Sequence, residues 1–365
     1  MAEIKSKVKL DAISQEIGKI FDYEFTGETT FTLHKKPTIT GEFNIGLIVG
    51  ASGSGKSLLL EDFGEDEEII WDGKKAIASH FSSADEAIDK LTSVGLNSIP
   101  SWLKPFHVLS NGEQYRANLA RKLKSGCVID EFTSVVDRNV AKSCAFAISK
   151  YIRKQGLTNV VFASCHFDII DWLQPDWIYN TDTKKYKRRL PQPVPKIELD
   201  ILTCDSFLWE MFKSHHYLTS ALNKAARCFA LKFEENIIGF IAVLPLPSGT
   251  VKNAYRSHRT VILPDYQGMG LGVKFSNAVA QLYINAGYRY YSRVTHPKLG
   301  AHRNKSPLWR ATSSNNSNCV VNAGQLGGTW KTDVERICFS HEYIAPPTNN
   351  INVFAKEKLK GFLDL

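Results

Sequence analysis

Gly50-Ala51-Ser52-Gly53-Ser54-Gly55-Lys56-Ser57 lies between an apolar run, Ile45–Val49, and a segment of helical character, Leu58–Asp62. The octapeptide has a glycine, four free positions and then Gly-Lys-Ser, a spacing with a physical meaning. Glycines let successive backbone N–H groups curl around phosphate oxygens. Lys56 then reaches the outer phosphates and the Ser57 hydroxyl ligates Mg²⁺. A strand that ends in such a loop and opens a helix implies an α/β domain. Gly50, Ser52, Gly53, Ser54, Gly55, Lys56 and Ser57 are its candidate nucleotide-binding residues.

Further along the chain, Leu109-Ser110-Asn111-Gly112-Glu113-Gln114 precedes Arg116 and Ala120-Arg121-Lys122-Leu123. Cys127-Val128-Ile129-Asp130-Glu131 follows, then Ser134-Val135-Val136-Asp137, and His166 ends the apolar run Val160–Cys165. Taken in order, these stretches resemble the P-loop, signature, Walker B, D-loop and switch-histidine motifs of ABC-type ATPases. The resemblance implies ATP and Mg²⁺ as ligands, with Asp130 beside Ser57 in the metal shell. It also implies Glu131 and His166 as catalytic groups, Glu131 positioning the attacking water. Ser110, Asn111, Gly112, Glu113 and Asp137 would meet the nucleotide from a second copy, so a head-to-tail homodimer is expected. The sequence departs from the family in three ways. Asn111 replaces a signature glycine, the helical subdomain is short, and no glutamine occurs between Ser57 and Glu113. His80 is a candidate for the missing glutamine's place. Tyr23, Phe25 and Phe31 are all candidates for the adenine-stacking aromatic.

The C-terminal half reads as mixed α+β. Strands are expected at Cys228–Phe233, Ile237–Leu244, Arg259–Leu263 and Arg289–Val294, with a helix at Gly272–Ala286. Between the third strand and the helix stands Pro264-Asp265-Tyr266-Gln267-Gly268-Met269-Gly270-Leu271-Gly272. Glycines at a helix N-terminus again offer free N–H groups to a pyrophosphate. Gln267-x-x-Gly270-x-Gly272 resembles the coenzyme A loop of the GNAT acyltransferase superfamily. The resemblance implies an acetyl-CoA-type donor held by Gln267, Gly268, Gly270 and Gly272, with the backbone of Val261 and Ile262 along the pantetheine arm. His216-Tyr217, together with the stretch from His296 through His302 to Trp309-Arg310-Ala311, looks like the Mom-type branch of GNAT-like proteins, which modifies adenine in phage DNA. That branch places His216, Tyr217, Ser292 and Tyr343 near the reacting centre. The family's acidic residue after the fifth strand is absent, and His296 stands roughly there. The fused order resembles phage and prokaryotic proteins that join an ABC-type ATPase to an acetyltransferase.

The expected fold class is therefore an α/β P-loop NTPase of ABC type with a reduced helical subdomain, followed by an α+β GNAT-like acyltransferase domain. The basic, proline-bearing stretch Asn180–Lys196 suits a connector. The boundaries are placed at 1–190, a linker at 191–196, and 197–365. A chain of 365 residues, 43% hydrophobic and 22% charged, accommodates two folded domains and excludes wholesale disorder. No apolar run reaches membrane-spanning length. The N-terminus lacks the apolar core of a signal peptide, so a cytoplasmic protein without membrane attachment is expected. Seven scattered cysteines without CxxC spacing argue for reduced, mostly buried thiols.

Charge separates the halves. Residues 1–198 carry 26 basic and 26 acidic side chains, so the whole excess of +8 belongs to the remainder. Between Val251 and Arg310 ten basic residues accompany the lone Asp265. That asymmetry points to a polyanionic partner, with nucleic acid as the first reading. Arg289, Arg293, Lys298 and Arg303 are the expected phosphate contacts. Two alternatives stand beside an ATP-dependent transferase that acylates a nucleic-acid base. One is an ATP-regulated N-acetyltransferase for a protein or small amine; the other is a non-enzymatic DNA clamp with a degenerate transferase fold.

Overall fold

The computed structural model describes residues 3–348 apart from 25, 191, 194, 217–220 and 322–330. It divides into two compact units. Met1–Gly95 and Pro105–Pro195 form the first; Leu96–Lys104 and Lys196–Leu365 form the second. The assignment of Leu96–Lys104 to the second unit had no sequence signal.

In the first unit, β1 (Glu3–Lys7) and β2 (Glu28–Thr32) make a small antiparallel sheet, joined through α1 (Ala12–Ile20). The main sheet holds β3 (Ile45–Val49), β4 (Val128–Ile129), β5 (Val160–Ser164), β6 (Trp177–Asn180) and β7 (Lys185–Arg188), in the order β4-β5-β3-β6-β7. The first four strands in that order are parallel and β7 is antiparallel. Every residue of β3 and β5 is buried, as a parallel sheet covered on both faces requires. The helices are α2 (Lys56–Leu60), α3 (Ala84–Ser93), α4 (Ile99–Trp102, within the second unit), α5 (Asn111–Lys122), α6 (Arg138–Gln155) and α7 (Ile170–Leu173). Trp177 is fully buried at the centre of this unit, with Phe43, Phe63 and Tyr186 around its ring. Gly46 on the adjacent strand makes room for it, since a Cβ there would lie 2.1 Å from the indole.

The second unit contains β8 (Asp200–Cys204), β9 (Arg227–Phe233), β10 (Asn236–Pro245), β11 (Ala254–Ile262), β12 (Arg289–Val294), β13 (Trp309–Ala311), β14 (Ser317–Val321) and β15 (Lys331–Tyr343). Their order is β13-β15-β12-β11-β10-β9-β8, with β14 on β15. Among the described strands of this unit only β11 and β12 run parallel, connected by α8 (Leu271–Asn285); α9 (Pro297–Lys305) follows β12. β11 begins at Ala254 rather than near Arg259, because its polar stretch Arg256-Ser257-His258 hides the apolar pattern of a strand. A bulge between Ala242 and Val243 of β10 leaves His258 as the extra residue of β11. The β11–β12 pairing covers only Ala254–Arg256 against Arg289–Tyr291. Among the described residues, β11 from Ser257 to Ile262 therefore pairs on the β10 side alone, leaving a backbone edge open. Cys127, Cys144 and Cys228 are buried free thiols and Cys165 and Cys204 are free and half-buried. Cys338 is disulfide-bonded, an exception to the reduced-thiol expectation. Among the described residues no helix is long and apolar enough to cross a membrane.

Gly46→Ala should destabilise the first unit by roughly 1–3 kcal/mol, because the added methyl forces Trp177 off its seat in a close-packed core. The measurement is thermal unfolding of the full chain, with the indole fluorescence transition moving to lower temperature.

Candidate nucleotide and acyl-donor sites

The parallel sheet brings the first unit's chemistry to one edge. Val49 is in register with Ser164, and Ile129 with Phe162. The loop Gly50–Ser57, the acids Asp130 and Glu131, and His166 thus all follow the carboxyl ends of adjacent strands, where α/β sheets place ligands. Gly55 takes a left-handed φ of +86°, with the Phe31 ring 2.5 Å from where a Cβ would stand. Lys56 Nζ donates to the carbonyls of Gly50 (3.0 Å) and Ala51 (2.6 Å), folded over the loop it would leave for phosphate. The Ala51 N–H points at both carboxylate oxygens of Asp182, each at 3.1 Å, so an oxyanion already fits this loop. Ser54 Oγ is 2.6 Å from Thr181 Oγ1, and His34 Nε2 is 2.7 Å from the Ser54 carbonyl. Asp182, Thr181 and His34 had no sequence signal, since none belongs to the loop's own spacing. Of the three aromatic candidates Phe31 lies against the loop, Tyr23 is exposed, and Phe25 falls outside the described residues.

Glu131 is exposed with φ +45°, a strained backbone position directly after the strand. Its N–H donates to the Asp130 carboxylate at 2.7 Å. Thr133 Oγ1 is 3.4 Å from His166 Nδ1. Burial, then the Arg138 guanidinium, hold the His166 imidazole below its usual range, so it is neutral at pH 7. Ser110 N-caps α5 in a reciprocal box with Glu113, which places Asn111 and Gly112 at the first two helical positions with their N–H groups outward from the ladder. Asp137 likewise caps α6. Ser110, Asn111, Gly112, Glu113 and Asp137 thus all stand at helix starts. His80 is different. Its Nε2 accepts from the Asp72 N–H and its Nδ1 lies 3.0 Å from the Ala76 carbonyl, so both ring nitrogens brace a local turn.

In the second unit, Gly270 is the N-cap of α8 with φ +75°, has no side-chain cap, and faces open space where a Cβ would stand. Gly268 is also left-handed (φ +93°). The first N–H groups of α8 are therefore available beside the unpaired edge of β11, which fits an extended donor with a pyrophosphate. Gln267 and Ile262 play other parts than expected. The Gln267 side chain donates to the Ile262 carbonyl (2.7 Å) and accepts from the Asn97 N–H (2.9 Å), so it braces the loop from within. Val261 is buried against Trp209 and Phe212, and Gly272 packs on Ile262.

The expected transferase centre is not assembled as the resemblance implied. Tyr217 lies outside the described residues. Ser292 is buried and hydrogen-bonded to Ser257 (2.7 Å) and to Arg303 (2.5 Å). The Tyr343 hydroxyl donates to Gln281 at 3.0 Å in the core against α8. Both hydroxyls are thus committed to packing. Arg303, expected on a phosphate-facing surface, is 3% exposed, bonded to Ser292 and Ser276, with its guanidinium 4.3 Å from the Trp309 ring centre. His216 packs edge-on against Trp209 at 5.6 Å. His258, on the bulge, was not singled out in the sequence. Its Nε2 is buried without a hydrogen-bond partner among the described residues. Burial, with the nearby Arg259, Arg256 and His216, pushes its imidazole down to about 4.

Two substitutions separate these sites. Lys56→Ala should abolish ATP binding, since the loop loses its only cationic side chain, while coenzyme A affinity stays unchanged. Gly270→Val should do the reverse, because a branched side chain resists positive φ and fills the space before α8. Calorimetric titration of each full-length variant with each ligand is the check; equal coenzyme A affinity in Gly270→Val would reduce that loop to a turn.

Residues 194–304 match the family model described as Acetyltransferase (GNAT) family. Functionally characterised proteins gave no significant sequence match to the chain. Among solved structures, the chain is similar to the ribosomal-protein-S18-alanine N-acetyltransferase from Escherichia coli, at 12% identity and TM-score 0.31, covering 42% of this chain and 99% of that one. It is also similar to cbiO1 from Clostridium perfringens, part of an ABC transporter complex, at 18% identity and TM-score 0.31, covering 43% and 80%. A bacterial ABC transporter cassette solved as a dimer gives 16% identity and TM-score 0.31, covering 42% and 84%. Matches at this level are likenesses alone. The C-terminal unit thus carries a GNAT acetyltransferase match across most of its described length, beside an α/β unit bearing the ordered nucleotide motifs.

Proposed function

We propose that the chain is an ATP-dependent acyltransferase, in which an ABC-type ATPase unit regulates a GNAT-like unit that acylates an exocyclic amine of a nucleic-acid base. The observation that carries this reading is the union in one chain of the ordered motif set Gly50–Ser57, Ser110–Glu113, Asp130–Glu131 and His166 with the matched acetyltransferase domain. The concentration of basic charge between Val251 and Arg310 supports nucleic acid as the acceptor.

Lys56 and the loop N–H groups would hold the phosphates of ATP, Ser57 and Asp130 would hold Mg²⁺, and Glu131 would orient a water with His166 nearby; bound between two copies, the nucleotide would supply the phosphoanhydride for hydrolysis. Ser110, Asn111 and Gly112 receive phosphate from the opposing copy. An acetyl-CoA-type donor supplies the activated acyl group. The N-terminus of α8 and the β11 edge bind and orient it. The amine nitrogen forms the new C–N bond as the thioester C–S bond breaks, the donor's sulfur leaves as the thiolate, and the amine proton must pass to a base. His258 is neutral at pH 7 and has an unpartnered Nε2, so it is the group we assign to receive that proton, with His216 next to it. Because His258 is neutral down to about pH 4, transfer should not lose rate on the acid side until well below the usual histidine range.

Glu131→Gln should bind ATP, hydrolyse it very slowly, and run as a dimer in its presence, because water positioning is lost while phosphate contacts remain. Light scattering with and without ATP reads this out; a monomer at saturating ATP excludes the sandwich arrangement. The acceptor is tested by digesting DNA and RNA from cells expressing wild type, Lys56→Ala and Gly270→Val, and comparing nucleosides by mass spectrometry. A new acylated nucleoside only in the wild type is the expected result. No new nucleoside, with thiol release on a protein or small amine instead, would move the acceptor to that class.

A further inference from the structure

Strand register lines up one transverse row across four strands of the second sheet. Arg256 of β11 pairs with Tyr291 of β12, Tyr291 with Glu342 of β15, and Glu342 with Arg310 of β13. Arg289 and Arg293 stand two residues either side of Tyr291, on the same face by strand alternation. Tyr290, Ser292 and Tyr343, on the opposite face, pack toward α8 and α9. Four arginines therefore share this face with Glu342, the one carboxylate on it among the described residues. Glu342 receives Arg289 at 2.6 Å, Arg310 at 2.6 Å and the Tyr291 hydroxyl at 3.0 Å. Arg256 and Arg293 form no ion pair with an acidic side chain among the described residues, although they are close enough to repel. Burial and the Arg293 charge both draw Arg256 below its usual range. Arg293 is exposed, and the side chains of Arg310 and Arg289 are 63% and 47% exposed. At the ~4.8 Å spacing of neighbouring strands, the row from Arg256 to Arg310 spans about 14 Å. The Arg289 guanidinium lies 5.3 Å from the Tyr291 ring centre.

A flat cationic face with an aromatic ring at its middle has the two components that hold single strands. Charges track the phosphates and a ring accepts a stacked base. A duplex keeps its bases stacked on one another and offers the ring nothing. We propose that this sheet face, centred on Tyr291 and carrying Arg256, Arg289, Arg293 and Arg310, binds single-stranded nucleic acid. The proposal rests on the reading that the second unit meets nucleic acid, and names the surface and the form of polymer. It also replaces the expected contact Arg303, which is buried, with Arg256 and Arg310. A strand held here would present unpaired bases without the unstacking that a duplex demands.

The test uses the full chain and fluorescence anisotropy of a labelled single-stranded thymidine oligonucleotide, at about 50 and 200 mM salt. Wild type should bind the strand more tightly than the same-length duplex, with affinity falling steeply with salt. Arg256→Ser with Arg293→Ser, which strips no partner from Glu342, should weaken binding at least ten-fold at low salt and flatten the salt slope by about two units. Tyr291→Phe should bind as wild type, whereas Tyr291→Leu should lose several-fold on the strand and nothing on the duplex. Lys150→Ser, an exposed charge of the first unit, should change nothing. Unchanged coenzyme A affinity and melting temperature certify the fold of each variant. The proposal is overturned if wild type fails to bind the strand at low salt, if duplex or polyglutamate competes equally, if the arginine pair is neutral, or if Tyr291→Leu matches Tyr291→Phe. A chain that binds through this face yet leaves no modified nucleoside overturns the acylation reading alone.

Discussion

Both candidate sites depend on a glycine in the left-handed region as the last residue before a helix. Gly55 precedes α2 at φ +86° and Gly270 precedes α8 at φ +75°. An L side chain at either position costs about 1–2 kcal/mol in backbone strain. Neither glycine supplies a side-chain cap, so the first helical N–H groups are left for whatever anion arrives. The two sites then diverge in what surrounds the turn. At Gly55 the space is closed by Phe31, and the loop is fixed by Ser54–Thr181 and Ala51–Asp182 contacts. At Gly270 the space is open and the loop is fixed from below by Gln267. A carboxylate on the Ala51 N–H competes with an incoming phosphate, whereas among the described residues no side chain caps the α8 N-terminus. One backbone device is thereby given different occupancy rules.

A second constraint is the burial of Arg303. Its folded environment pushes the guanidinium down to about 10, still protonated at neutral pH. Three groups offset the lost hydration: the hydroxyls of Ser292 and Ser276, and the Trp309 ring. Ser292 also meets Ser257, so α8, α9, β11 and β12 are joined through one cation just where β11 and β12 stop pairing. Removing either hydroxyl leaves a buried charge underpaired, a larger penalty than a missing surface bond. Ser292 is therefore better understood as part of the frame that holds the two strands apart than as a reacting group.

The sequence made the apolar strands and the phosphate loops legible because both are local. Ile45–Val49, Val160–Ser164 and Arg289–Val294 are visible as short runs, and the loops are read from glycine spacing alone. What stayed hidden depends on long-range register. Arg303 carries the same charge as Arg293, and only the positions of Ser276 and Ser292 in space separate a core cation from a surface one. Asp182 lies far from the phosphate loop along the chain, and parallel pairing of β3 with β6 brings Thr181 and Asp182 to it. His258 has no sequence signal because a histidine within a polar run has no periodicity, and the bulge that isolates its Nε2 is set by pairing with the partner strand. His296 follows β12 where the family's acid would stand; it is half-buried beside Trp102, with its Nδ1 unpartnered among the described residues.

Glu342 explains why a cationic face can be rigid as well as charged. Burial by itself raises a carboxyl, but hydrogen bonds from Arg310, Arg289 and Tyr291 outweigh it and hold Glu342 below the usual range. The acid stays ionised at neutral pH and pins two long side chains and a ring that would otherwise lose rotamer freedom on meeting a ligand. That entropy is spent during folding, which leaves more of the contact energy for binding. The carboxylate removes one charge from the face yet fixes the direction of three donors. Arg256 and Arg293, which lack this anchor, carry the unneutralised charge. A face built this way separates the two tasks: an ordered tyrosine for stacking, and free arginines for the long-range attraction that salt screens.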